Sequence, residues 1–263
     1  MTSWDDRPRT RLGAHSAIVA GDGPTLLLLH GVGLRAEAWA PIIDHFAASR
    51  RVVAPDMAGH GNSAALTEPA TLAAFAKPLA DLLTGPTIIV GHSMGAMLAL
   101  HLAQHDPAKV QAVAALNAIY QRSDTARAAV RQRAAGLDGR TTTDPGPTLN
   151  RWFGTADNGA RQACDHWLRG VDPAAYKAAY TVFAHEDGPP PDALRRLPCP
   201  ALFMTGADEP NSTPAMSRAM AALAPQGEAL IVPGAAHMMP MTHPGQVIAA
   251  LQTLITRAAA ERT

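Results

Sequence analysis

Apolar positions along the chain occur in two alternating patterns. Uninterrupted apolar runs, such as Thr25–His30, are typical of strands that are buried on both faces of a parallel sheet. Stretches with helical spacing follow them, as in residues 36–48, where Trp39, Ile42 and Phe46 fall on one face. The predicted strands are residues 14–20, 25–30, 51–54, 88–90, 110–116, 201–205 and 229–232. Strands that alternate with helices predict an α/β fold with a mostly parallel sheet and right-handed crossover connections.

The pattern changes between about residue 120 and residue 197. No clear strand pattern occurs there, and helical spacing predominates until the run Gly188–Pro191 interrupts it. We therefore predict a helical insertion at residues 121–197 and a core domain formed by residues 1–120 and 198–263. The predicted helices of the insertion are residues 122–135, 148–153, 160–169 and 173–185, and a final helix at 245–260 closes the core.

The composition is that of a globular protein without a charge bias. Of the 263 residues, 47% are hydrophobic, and 22 Lys and Arg balance 22 Asp and Glu, so neither nucleic acid nor an anionic membrane is a predicted partner. Cys164 and Cys199 lack C-x-x-C spacing and are interpreted as reduced thiols, with a single disulfide left open. The first residues lack a signal-peptide pattern and no apolar run reaches membrane-spanning length, so we expect a cytoplasmic protein, whose oligomeric state the sequence does not indicate.

The segment Gly91–Gly95 has the pattern G-x-S-x-G and lies between a predicted strand and a predicted helix. A sharp strand-to-helix turn of this kind exposes the hydroxyl of its serine, here Ser93, at the start of the helix. Glycine is required on both sides because a Cβ atom would clash in so tight a turn. The N–H of Met94 and the helix dipole can then stabilise negative charge that develops next to Ser93.

A serine nucleophile needs a base, and the base needs an orienting acid. Asp208 and His237 each follow one of the last two predicted strands, at the edge of the sheet where Ser93 is expected. The order Ser, Asp, His fits a catalytic triad. Each could instead be an ordinary turn residue, and Glu209 could replace Asp208 as the acid.

Other histidines and one aspartate are interpreted as structural. His30 and His60 lie in glycine-rich loops, which they are expected to hold by hydrogen bonds, and Asp56 is expected to order its own loop. His101 and His105 are four residues apart on a predicted helix, but no third ligand accompanies them, so no metal site is predicted.

Together the loops resemble those of the α/β-hydrolase superfamily over nearly the whole chain, and most closely its capped, cofactor-free branch of carboxylesterases and enol-lactonases. The matching segments are 30–33 (H-G-x), 56–63 (D-x-x-G-x-G-x-S), 91–95, 206–208 and 234–237. The resemblance implies a doubly wound sheet with a helical cap and no cofactor. It further implies that Ser93 attacks a carbonyl, that His237 takes its proton, that Asp208 orients His237, and that the N–H groups of Val32 and Met94 form the oxyanion hole.

The insertion is expected to cover the site and to supply its apolar wall. Trp152, Trp167 and Tyr180 are the predicted substrate-binding residues, with packing inside the cap as the alternative for each. The predicted function is hydrolysis of an ester or lactone of a small molecule. Three alternatives stay open, namely carbon–carbon bond hydrolysis of a dienoate-type substrate, acyl transfer, and a non-catalytic small-molecule receptor on the same scaffold.

Overall fold

A computed structural model describes residues 4–260, and an eight-stranded sheet forms the centre of that part of the chain. The strands are β1 (Thr10–Leu12), β2 (His15–Ala20), β3 (Thr25–Leu29), β4 (Arg51–Pro55), β5 (Thr87–His92), β6 (Val110–Leu116), β7 (Ala201–Gly206) and β8 (Gly227–Val232). Their order in the sheet is β1-β2-β4-β3-β5-β6-β7-β8. The pairs β1–β2 and β2–β4 are antiparallel, and the other pairs are parallel. The predicted α/β fold with a mostly parallel sheet is therefore confirmed.

Helices connect the parallel strands. They are α1 (Ala40–Phe46), α2 (Leu72–Ala80), α3 (Met94–His105), α4 (Asp124–Ala135), α5 (Gly146–Phe153), α6 (Gly159–Gly170), α7 (Pro173–His185), α8 (Pro191–Arg195), α9 (Pro214–Leu223), α10 (Met239–Thr242) and α11 (Pro244–Ala260), with a 3₁₀ turn at Ala36–Trp39 before α1. Helices α4 to α8 lie between β6 and β7, in the segment predicted as a helical insertion. None of the helices within residues 4–260 combines the length and the apolar character that crossing a membrane requires.

The core lies on both faces of the sheet because the central strands carry apolar residues at successive positions. Successive side chains of a strand point to opposite faces. In β3, Leu27 and Leu29 pack in an apolar cluster with α2 and α3, whereas Leu26 and Leu28 pack in a second cluster with the 3₁₀ turn, α1 and α11. A continuous leucine run thus fills two layers of core.

The carboxyl ends of the parallel strands meet at one edge of the sheet. The register pairs Leu29 with Gly91 across β3 and β5, and Gly206 with Val232 across β7 and β8. The loops that follow these four strands carry the candidate site residues, so the sheet brings distant parts of the sequence to a common edge.

Candidate active site

Ser93 occupies a strained turn between β5 and α3. Its φ of 58° and ψ of −119° lie in a region that non-glycine residues rarely adopt. A Cβ atom on Gly91 would overlap the carbonyl group of Gly95, and one on Gly95 would overlap the carbonyl of Leu29. Both glycines are therefore needed for the chain to turn this sharply and to present Ser93 at the start of a helix.

Two backbone N–H groups lie beside this turn. Met94 is the first residue of α3, so its N–H has no acceptor within its own helix. The carbonyl of Gly31 accepts hydrogen bonds from Nδ1 of His30 (2.8 Å) and from the N–H of Leu34 (3.3 Å). That carbonyl and the N–H of Val32 belong to one trans peptide unit, in which they point in opposite directions. Holding the carbonyl therefore fixes the direction of the Val32 N–H.

His30 is buried and has a defined tautomer. The N–H of Met57 donates to its Nε2 (2.8 Å), so Nε2 carries no proton and Nδ1 donates to Gly31. Burial, together with the nearby His60, lowers the pKa of His30 to about 4. His30 is thus neutral near pH 7 and holds two loops together, as the sequence predicted.

Asp56 is fully buried and orders the glycine-rich loop after β4. Its Oδ1 accepts the N–H of Ala36 (2.9 Å), its Oδ2 accepts the N–H of Asn62 (3.2 Å), and Arg9 forms an ion pair with it (3.1 Å). Gly61 has a φ of +51°, and a Cβ atom there would overlap the Asp56 carboxylate. The structural role predicted for Asp56 agrees with these contacts.

The acid that contacts His237 is Glu209. Its Oε2 lies 2.7 Å from Nδ1 of His237 and also accepts from Nδ2 of Asn117 (3.2 Å). Its Oε1 accepts the N–H groups of Asn211 (2.7 Å) and Ser212 (3.3 Å). Burial alone would raise the pKa of Glu209, but the charge of His237 and these hydrogen bonds outweigh burial and lower it to about 2. Glu209 is therefore ionised at any pH at which the protein works.

The prediction that Asp208 orients His237 is wrong by one residue. The N–H of Asp208 donates to the carbonyl of Ala235 (2.9 Å), while its side chain is exposed. Glu209 follows directly and is 3% exposed. Adjacent residues of the turn point in opposite directions, so only one of the two carboxylates can face the histidine.

Ser93 and His237 line one cavity of about 180 Å³. No hydrogen bond joins their side chains within the described residues, although both reach the same space. Gly31 and Val32 also line it, so the possible oxyanion donor next to Gly31 borders the same cavity as Ser93. Helices α4, α5 and α7 and the segment before α4 also line it, with Arg122, Val130, Arg133, Thr148, Arg151, Trp152, Tyr176, Tyr180 and Phe183.

Of the three predicted substrate-binding residues, two line this cavity. The ring of Trp152 stacks on that of His237, with centroids 5.4 Å apart and planes inclined by 22°. Tyr180 lines the wall, and its hydroxyl accepts a hydrogen bond from Nε of Arg133 (3.1 Å). Trp167 does not line this cavity. It is 3% exposed, packs with Leu34 and other apolar residues, and lines a separate cavity of about 210 Å³.

Sequence analysis missed the arginines of the cavity. Arg122 is already neutralised, because Asp187 pairs with it (3.6 Å) and the carbonyl of Glu186 accepts from it (2.6 Å). Arg133 and Arg151 differ, since neither forms an ion pair with a carboxylate within residues 4–260. They lie at the ends of α4 and α5, and no motif in the sequence marks them.

A second cavity of about 250 Å³ adjoins the first. Arg133, Thr148, Arg151, Tyr176 and Tyr180 line both cavities, so these side chains form the wall between them. The loop at residues 136–147 and the ends of α6 and α7 close its far side. A substrate larger than the first cavity would reach this space past the two arginines.

Comparison with known proteins identifies relatives of this chain. A sequence model described as the alpha/beta hydrolase family matches residues 26–251. The chain is 38% identical over 238 residues to an (E)-2-((N-methylformamido)methylene)succinate hydrolase of Acinetobacter baylyi, covering 88% of this chain and 90% of the other. It is 30% identical over 247 residues to a pimeloyl-[acyl-carrier protein] methyl ester esterase of Stenotrophomonas maltophilia, covering 90% and 95%. A malate-bound thermophilic esterase of Thermogutta terrifontis superposes with a TM-score of 0.83 at 25% identity, covering 96% and 99%.

Proposed function

The chain belongs to the alpha/beta hydrolase family, and we propose that it hydrolyses the acyl bond of a small, carboxylate-bearing molecule through Ser93, His237 and Glu209. The observation that carries the proposal is the meeting of three groups at one cavity. These are a strained serine, a histidine paired with a buried carboxylate, and the Gly31–Val32 peptide, whose N–H can act as a donor.

The chemistry follows from the roles of these groups. Oγ of Ser93 attacks the carbonyl carbon while Nε2 of His237 takes its proton, and Glu209 stabilises the imidazolium that forms. The N–H groups of Met94 and Val32 donate to the developing oxyanion, and one such donor is typically worth about 3 kcal/mol of the barrier. His237 then protonates the leaving group. Water, deprotonated by the same imidazole, hydrolyses the acyl-enzyme and restores Ser93.

The charge of the cavity supports an anionic substrate. Arg133 and Arg151 face it without acidic partners, and a guanidinium pairs well with a carboxylate. The Acinetobacter relative is named for a succinate derivative that carries an N-acyl group, and the Thermogutta esterase was solved with malate. We therefore favour a substrate with one or two carboxylates and an ester, lactone or amide bond to be cleaved.

A panel of substrates tests the proposal. Wild-type protein is offered p-nitrophenyl acetate, the mono-p-nitrophenyl ester of succinic acid, small lactones and N-acyl-aminomethylene succinates, with Ser93→Ala as the inactive reference. We expect turnover that depends on Ser93 and a higher kcat/KM for the anionic ester than for the neutral one. Absence of turnover above Ser93→Ala, combined with tight binding of a dicarboxylate, would instead support a receptor.

A charge-removing variant tests the substrate class separately. Replacing both Arg133 and Arg151 with Met is expected to lower kcat/KM for the anionic ester about 10- to 100-fold per carboxylate contact, since a hydrogen bond to a charged group contributes about 1.5–3 kcal/mol. The neutral ester should change by no more than about threefold, since it loses no ionic contact. Arg131→Met, on the exposed side of the same helix, is the matched control. An equal loss for both esters would refute the anionic subsite while leaving the hydrolase proposal intact.

A further inference from the structure

We infer that His92, the residue immediately before the nucleophile, is a positioning residue that ties the catalytic histidine to the nucleophile turn. The inference rests on the proposed function. Nε2 of His92 lies 2.7 Å from the backbone carbonyl oxygen of His237, which is 145 residues away in the sequence. A carbonyl oxygen can only accept, so Nε2 of His92 carries a proton and donates it to this bond.

One end of this hydrogen bond is rigid. His92 is the last residue of β5, which is paired on both sides by parallel strands. The N–H of Ser93 donates to the carbonyl of Leu116 (2.9 Å), so the turn is fixed to the neighbouring strand as well. His92 is 2% exposed, and the ring of Trp39 meets it edge to face at 6.4 Å. Its donor therefore has a fixed position relative to Ser93.

The other end lies in the loop after β8, where the turn after β7 holds the carbonyl of Ala235 (2.9 Å), two residues before His237. His237 follows β8 by several residues and precedes the short helix α10. Glu209 binds Nδ1 of its ring and so determines the rotation of the imidazole and the nitrogen that faces the cavity. That bond does not fix the backbone from which the ring extends. The hydrogen bond from His92 does so, because it holds the carbonyl of the same residue.

His92 can perform this task without entering the proton transfers. Burial, with the nearby charge of His237, lowers the pKa of His92 to about 3. The titratable groups that face it are His237, Glu209 and His30, and burial is the largest of the effects that leave it neutral near pH 7. Its ring lies 4.9 Å from that of His237, centroid to centroid. A neutral donor at this position orients the base and does not compete with it for the proton.

Three substitutions of His92 separate the effect of its N–H donor from the effect of its ring volume. His92→Gln keeps an N–H donor of similar reach, whereas His92→Phe and His92→Leu remove it with different volumes. The first readout is the second-order rate at which a fluorophosphonate probe labels Ser93, which needs no knowledge of the natural substrate. The second is kcat and KM for a p-nitrophenyl ester across pH. His105→Phe is the matched control, because His105 makes the same kind of bond to a backbone carbonyl (2.8 Å) outside the cavity.

We expect the Phe and Leu variants to be labelled about 10- to 100-fold more slowly, because displacing a reacting group by about 1 Å lowers the rate by up to about 100-fold. The value of kcat should fall by a similar factor, whereas KM should stay within about threefold of the wild type. His92→Gln should recover most of the rate. The acidic limb of the pH profile should stay in place in all variants, since no charge is removed. His105→Phe should resemble the wild type.

Three results would overturn the inference. They are normal labelling of the Phe and Leu variants, a Gln variant as slow as Phe, and a shift or loss of the acidic limb, which would make His92 an acid–base group. Rates are compared below the melting temperature of each variant, and agreement between Phe and Leu excludes a packing effect of either one. A wild-type protein that the probe does not label would refute the proposed function itself, and with it this inference.

Discussion

Replacing Glu209 with Gln is expected to lower kcat about 10³- to 10⁴-fold, whereas Asp208→Asn should leave it within about twofold. The magnitude follows from the contacts of the carboxylate. The pKa of Glu209 falls from 4.5 to about 2. Burial would raise it, but the charge of His237 and the hydrogen bonds to the carboxylate lower it by more. That difference corresponds to roughly 3 kcal/mol of net preference for the anion. The charge of His237 is the largest of the effects that favour the anion, so we expect its loss to account for a factor on the order of 100 in stabilising the imidazolium.

The tautomer accounts for the remainder. A glutamine at 209 can present its NH₂ group to Nδ1 of His237, which moves the ring proton to Nε2 and leaves no base facing Ser93. This adds a further factor of roughly 10 to 100, in line with the loss seen when the acid of a serine hydrolase becomes an amide. Asp208 has no such effect because its side chain is exposed and Nδ1 of His237 is bound by Glu209 instead.

The assay is the pre-steady-state release of p-nitrophenol and the rate of fluorophosphonate labelling, both measured at pH 8 for the two variants and the wild type. Far-ultraviolet circular dichroism and the urea midpoint confirm that each variant is folded. If Asp208→Asn lost the activity and Glu209→Gln retained it, the pairing of Glu209 with His237 would be irrelevant to catalysis and the reasoning here would be refuted.

Three further predictions concern stability and binding. The pKa of Glu209 is lower in the folded state than its usual value of 4.5. Its contribution to stability is therefore complete above about pH 4.5 and is lost as the pH falls towards 2. Between pH 6 and pH 3, urea titrations should show a larger loss in the free energy of unfolding for the wild type than for Glu209→Gln. Gly61→Ala should lower the free energy of unfolding by about 2 kcal/mol or more in a urea titration, because it adds a side chain at positive φ against the Asp56 carboxylate, and an unchanged midpoint would disprove this. Trp167→Ala should cost about 3–5 kcal/mol of stability with little change in KM, because Trp167 packs in an apolar cluster. Trp152→Ala should change KM or kcat with a smaller cost in stability, because Trp152 stacks on His237. The reverse pattern would contradict a packing role for Trp167 and a role at the cavity for Trp152.

Local sequence predicted the fold and marked Ser93 as the candidate nucleophile. Apolar runs that are buried on both faces have few alternatives to a central parallel strand, so β3, β5, β6 and β7 were found close to their observed bounds. The turn at Ser93 was predictable for a steric reason. The two glycines that flank it are required by carbonyl groups that lie within the same turn or on the adjacent strand.

Tertiary structure decided which side chains face the site. Glu209 and Asp208 are adjacent acidic residues in one turn, and spacing along the chain treats them almost equally. The choice depends on Asn117, 92 residues away, and on His237, 28 residues away, which are brought to Glu209 by the order of the strands. The sequence could not decide whether Trp167 lines the cavity of Ser93 for a related reason, because helical spacing gives a helix an apolar face without specifying what covers it.

The elements, their order and the candidate nucleophile could therefore be predicted from the sequence by itself, since short-range sterics and apolar periodicity govern these. The acid, the arginines of the cavity and the hydrogen bond from His92 depended on which loops the sheet and the insertion bring together. Those contacts join residues that lie far apart in the chain, and no local pattern encodes the direction in which a loop side chain points.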